Sequence, residues 1–222
     1  MKNLMTLSIA LMLILNLHAQ NEEYQHVITA NAGASIFGAI FNALDGNPLN
    51  SGDTTTDIEG IDNLNGLFEA NTTPALQASY DYGVTNWFSV GGSVAFQNFN
   101  ADITDLSYTR ESDGQQVNAA AATIGIRRVS VGIRALFHYG NTDKIDMYSG
   151  LRLGVSNWGI KAESSSDTFS EDLQNTRFSG AFPAVQVIPF ALRGYVTENI
   201  GLNFETGLGT PHYFAIGVNY RL

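Results

Sequence analysis

Between Val129 and Tyr139 the chain alternates without a break. Val129, Val131, Ile133, Ala135, Phe137 and Tyr139 share one face of an extended strand, and Arg128, Ser130, Gly132, Arg134, Leu136 and His138 share the other. A period of two is the signature of a strand with unlike faces. Ile145, Met147, Leu151, Leu153 and Val155 repeat the apolar face, against Tyr148, Gly150, Arg152, Gly154 and Ser156. Phe88, Val90, Val94 and Phe96 do so again, as do Phe214, Ile216, Val218, Tyr220 and Leu222. Eight such segments are expected, at about 25–41, 74–83, 87–103, 119–139, 145–162, 181–196, 200–208 and 212–222.

The connections sort by length. Gly83-Val84-Thr85-Asn86, Gly140-Asn141-Thr142-Asp143-Lys144 and Thr197-Glu198-Asn199 are short and made of turn formers. The stretches at about 42–73, 104–118 and 163–180 are long, while the one at Gly209-Thr210-Pro211 is brief. Tyr82, Tyr139 and Tyr195 each precede a tight turn, 57 and then 56 residues apart, so the repeating unit is a hairpin. An even number of strands, with short turns at one end and long loops at the other, is the layout of an outer-membrane barrel.

The N-terminus reads as an address. Lys2 precedes an apolar stretch from Leu4 to Leu17, and Ala19-Gln20 offers a cleavage point. Residues 1–20 are therefore expected to be a cleaved signal peptide, with a short membrane anchor as the competing reading, and residues 21–222 a single barrel domain. After residue 20 no stretch reaches the roughly 18 apolar residues of a membrane helix, so a membrane-resident chain must cross as a barrel.

Which face is outside follows from composition. Only 14% of the 222 residues are charged, against about 25% in soluble proteins. The polar strand face holds Gly, Ser, Asn and Gln with isolated charges at Asp81, Arg128, Arg134, Arg152, Arg193 and Glu205. That face suits a crowded lumen better than a solvated exterior. A buried charge must be paired, so Arg134, Arg152 and Arg193 are expected to meet Asp81 and Glu205 inside the barrel. Tyr82, Trp87, Tyr139 and Tyr195 near the short turns, and Trp158 toward the long loops, are expected to form two interface belts.

These features resemble the small eight-stranded outer-membrane β-barrel family of Gram-negative bacteria, over about residues 24–222. The end of the chain, Tyr213-Phe214-Ala215-Ile216-Gly217-Val218-Asn219-Tyr220-Arg221-Leu222, carries the most specific part of the resemblance. Ile216, Val218 and Tyr220 fit the family's insertion signal, while Leu222 stands where the family has Phe. The hairpins at Asp81–Asn86 and Arg193–Asn199 also look like the family's. The resemblance implies an all-β, antiparallel up-and-down transmembrane barrel, integral to the outer membrane. It implies outer-membrane lipids and lipopolysaccharide as surroundings, and the barrel assembly machinery as a partner during insertion. It does not imply an activity, because this fold hosts structural proteins, adhesins, assembly accessories and a few enzymes.

Little in the sequence points to chemistry. A net charge of −10 argues against nucleic acid, which needs clustered Lys and Arg. The absence of Cys excludes disulfides, thiolate metal sites and a thiol nucleophile. No phosphate-binding, dinucleotide or zinc-protease motif is present. His212 near Asp53 or Asp57 is the one hydrolytic dyad the family's lipid enzymes suggest, and no His-x-Ser accompanies it. Asp45, Asp53, Asp57, Glu59, Asp62 and Glu69 crowd the first long loop, where Ca²⁺ and a merely solvated acidic loop are the two readings. The sequence expectation is a non-enzymatic barrel with no cofactor or metal and a structural or surface-interaction role. The alternatives are an accessory subunit of an envelope secretion or assembly complex, a lipid-modifying barrel enzyme, and a soluble ligand-binding barrel.

Overall fold

The computed structural model describes residues 23–45, 47–50, 61–110, 114–118, 121–142, 144–164 and 179–222. The expected signal peptide, and the loop acids Asp53, Asp57 and Glu59, lie outside the described residues.

Eight antiparallel strands close into a ring. They are β1 (His26–Ala34), β4 (Ala75–Thr85), β5 (Phe88–Arg110), β7 (Ala121–Thr142), β8 (Ile145–Ser164), β9 (Ser179–Tyr195), β10 (Ile200–Thr206) and β12 (Phe214–Arg221). Each pairs with the next in that order, and β12 returns to β1 with Val27 opposite Arg221 and Ala34 opposite Phe214. Closure removes every free sheet edge from the body of the barrel. No described helix is long and apolar enough to cross a membrane, a statement that does not bear on strands.

The end with the long connections departs from the sequence expectation in two places. Strand β1 stops at Ala34 rather than near residue 41. There Ser35 caps a helix, α1 (Ile36–Ala43), its hydroxyl accepting the Gly38 amide at 2.9 Å. The apolar residues Ile36, Phe37, Ile40 and Phe41 fit a helical period, which alternation over Ala and Gly disguises. The stretch expected as one long loop also contains strands. Here β2 (Asn47–Asn50) pairs with β3 (Ile61–Thr72), and β3 pairs with the upper part of β5, with Thr72 opposite Phe99. Short strands β6 (Gln116–Asn118) and β11 (Leu208–Gly209) extend the same rim through β5 and β9.

One bulge sets a face. Tyr148 pairs with Ala191 but Gly150 pairs with Ile188, so β9 carries one extra residue at Pro189-Phe190. Ser149 Oγ donates to the Pro189 carbonyl at 2.7 Å, and Thr206 Oγ1 donates to the Phe190 carbonyl at 2.6 Å. The inward residues of β9 therefore switch from Ala184, Gln186 and Ile188 to Ala191, Arg193 and Tyr195. Along the middle of the barrel the outward face is apolar. Ile133 is 69% exposed, and Val131, Leu153, Val155, Leu202, Ile216 and Val218 each at least half.

Candidate functional site

The lumen is filled from the short-turn end upward by side chains of alternating charge. At the bottom, Tyr195 is 7% exposed and turns inward, with the Arg221 guanidinium 3.7 Å from its ring centroid. Above it, Arg193 reaches Asp81 through Nη2, and its Nη1 stands 3.5 Å from Asp146 Oδ2. Asp146 also meets His138 Nδ1 at 2.8 Å, and the other ring nitrogen of His138 lies 2.7 Å from Ser89 Oγ. Gly91 leaves room for Asp81, since a Cβ there would collide with its Oδ1.

The next layer centres on Glu205. Its Oε2 lies 3.0 Å from Arg134 Nη2 and accepts the Tyr148 hydroxyl at 3.1 Å. Its Oε1 lies 3.0 Å from Arg152 Nη2 and 3.1 Å from His212 Nε2. Arg134 joins the two layers. Its Nε stands 3.0 Å from Asp81 Oδ1, and its Nη1 donates to Ser79 at 2.9 Å. Arg152 and the His212 carbonyl share Gln186 as a partner, so the loop after β10 is tied down into the lumen. All of these side chains are buried.

Arg128 stands apart. It is 2% exposed, yet no carboxylate among the described residues pairs with it. Its Nη2 donates to Gln97 Oε1 and to the Pro211 carbonyl, both at 2.6 Å. Its guanidinium lies 5.4 to 5.9 Å from the ring centroids of Trp158, Phe37 and Phe99. Those rings form the floor of a cup at the long-loop mouth. Phe37 of α1 meets Trp158 edge-on at 4.9 Å, Phe41 tilts against Phe99 at 5.5 Å, and Trp158 stacks on Phe99 at 6.0 Å. Ile160 and Phe182 continue the wall, and the cup encloses about 490 Å³.

The structure thus brings Asp81, Arg134, Arg152, Arg193 and Glu205 into one network and leaves Arg128 outside it. The sequence reading did not include Asp146, His138, Tyr148 or His212 in that network. Of the expected interface aromatics, Tyr82, Trp87 and Tyr139 lie on the outer side of the short-turn end, with Trp87 53% exposed. Trp158 and Tyr195 do not: Trp158 faces the cup and Tyr195 the lumen, because each shares strand parity with an inward arginine. Ile216, Val218, Tyr220 and Leu222 are all exposed. His212 contacts Glu205 rather than an acid of the first loop. Among the described residues no group of three His, Asp or Glu side chains is placed to hold a metal, and Asp45 instead accepts the Ala70 amide at 2.8 Å.

No protein-family model and no curated protein sequence matches the chain. Solved structures do. The attachment invasion locus protein Ail of Yersinia pestis, in complex with the heparin analogue sucrose octasulfate, is 12% identical, with 90% of this chain and 99% of that one covered and a TM-score of 0.43. The outer membrane protein OprG from Pseudomonas aeruginosa is 10% identical, with 92% and 99% covered and a TM-score of 0.49. Outer membrane protein W of E. coli is 11% identical, with 90% and 99% covered and a TM-score of 0.34. The closed barrel of this chain stands on its own strand pairing.

Proposed function

We propose that the chain is a non-enzymatic integral outer-membrane barrel whose lower lumen is sealed and whose long-loop mouth is its working face. The observation that carries this reading is the inversion of polarity. Charged side chains are buried inside, while Val131, Ile133, Leu151, Leu153, Val155 and Leu202 are exposed around the outside. In water such a surface would be an aggregation hazard; in hydrocarbon it is the only acceptable one, since lipid offers no partner for a charge. The interior supports a plug rather than a pore, because neighbouring layers of the lumen share ion-pair partners. Exposed Ile216, Val218 and Tyr220 on the last strand suit the insertion signal that the assembly machinery reads.

The test is fractionation followed by gel mobility in cold SDS, with and without boiling. The protein is expected in the outer-membrane fraction, running faster before boiling than after. A soluble protein with one mobility overturns the reading and makes the apolar face a binding surface for something other than lipid.

A further inference from the structure

The cup has a feature that plain apolar capture does not need. Against the rings of its floor lies a buried guanidinium, that of Arg128, with no counter-ion among the described residues. In the charged layers below, each arginine faces a carboxylate: Arg134 faces Asp81 and Glu205, Arg152 faces Glu205, and Arg193 faces Asp81 and Asp146. Among the described residues Arg128 has a side-chain amide, one backbone carbonyl and three aromatic faces. Neutral acceptors and ring quadrupoles offset part of the cost of burying a cation, and an anion would offset more. Above the ring floor the walls are mostly aromatic and aliphatic, with Ser156 and Thr210 among them, and the space of about 490 Å³ lies within the range of small-molecule sites.

We infer that the cup binds a single-chain amphiphile with an anionic head, its tail lying between Phe41, Ile160 and Phe182 and its head toward Arg128. The inference rests on the barrel reading, because the cup faces the long-loop side only if the chain folds as described. Charge complementarity selects the occupant. A cationic amphiphile would meet Arg128 with repulsion, and a neutral one would leave it uncompensated.

The chain has two tryptophans, which makes the test direct. Trp87→Phe leaves Trp158 as the only indole, on the cup; Trp158→Phe leaves Trp87, on the outer surface. Each variant is first checked for a heat-modifiable band in the membrane fraction, so failure of the barrel reading is seen separately. In zwitterionic lipid nanodiscs, 2-bromododecanoate, 2-bromododecanol and 2-bromododecyltrimethylammonium are then titrated, since bromine quenches an indole it touches and Trp158 lies beside the Arg128 guanidinium that the head approaches. The carboxylate is expected to quench Trp158 saturably at a concentration about tenfold below the other two, from its attraction to the buried cation. Trp87 should report only non-saturating partition into the bilayer. Arg128→Gln, in the Trp87→Phe background, should abolish the preference among heads. Equal quenching of Trp158 by all three heads, or no saturation at Trp158, overturns the inference. The head-group comparison decides without Arg128→Gln if that variant does not fold.

Discussion

Arg134 on β7 and Glu205 on β10 meet across the lumen, with 3.0 Å between Nη2 and Oε2. The two strands are not neighbours in the ring, so this contact ties opposite walls rather than adjacent ones. Glu205 also holds Arg152 and His212, and it accepts the Tyr148 hydroxyl. Removing its charge leaves two buried arginines without their shared partner. Glu205→Gln is therefore expected to destabilise the barrel by about 3–5 kcal/mol. The urea midpoint in detergent, with gel mobility as the readout, measures this. Glu198→Gln, in an exposed turn, should change stability by less than about 0.5 kcal/mol. Equal shifts for the two would show that the network contributes nothing beyond ordinary charge.

The pattern of the strands was legible because period two survives any loop length, and each apolar face could be followed by counting. The same parity reaches Asp146, which shares a face with Tyr148 and Arg152, and His138, which shares one with Arg134. Both belong to the network by that logic. Trp158 and Tyr195 are the converse. Their position along the strand suggests a belt, but Trp158 has the parity of Arg152 and Tyr195 that of Arg193. Face, not height, decides where a strand residue points. Other features were not legible, for physical reasons. The return of His212 into the lumen depends on Glu205, Gln186 and the whole ring being in place. The pairing of β3 with upper β5 is likewise long-range. The helix after Ser35 hides because Gly and Ala serve either period.

Ser89, His138 and Asp146 line up in the order of a nucleophile, a base and an orienting acid, at 2.7 and 2.8 Å. Geometry alone does not make this a hydrolase. Ser89 is 1% exposed, and Asp146 is also engaged by Arg193. A substrate carbonyl needs space about 3 Å from both the nucleophile and its oxyanion donors. A fluorophosphonate probe is expected to leave the folded protein unlabelled. Labelling that disappears in Ser89→Ala, with the heat-modifiable band retained, would make this an enzyme and overturn the non-enzymatic reading.

Outward Ile133 is the most exposed residue in the middle of β7, at 69%. If that face meets hydrocarbon, Ile133→Arg should cost about 2–4 kcal/mol in a bilayer. In water the same change would be nearly neutral or would improve solubility. Refolding into phosphocholine vesicles across a urea series gives the number. A cost below about 0.5 kcal/mol would place this surface away from lipid.

Tyr195 and Trp87 both lie at the short-turn end, and their faces set opposite expectations. The Tyr195 ring is buried beneath Arg221, at 3.7 Å from the guanidinium. Tyr195→Ala removes a packed ring and a cation–π contact together, which should cost about 3–5 kcal/mol. Trp87 is 53% exposed and packs on Phe88 and Phe137 at the outer surface. Trp87→Ala should cost less in detergent, where micelles adapt to the gap, and more in a bilayer, where an indole anchors the interface. Measuring both variants in both environments separates the two roles. Tyr195→Ala should lose the same stability in each medium, because its partner is protein. A strong dependence of Tyr195→Ala on lipid would return that ring to the membrane surface and leave Arg221 without its aromatic face.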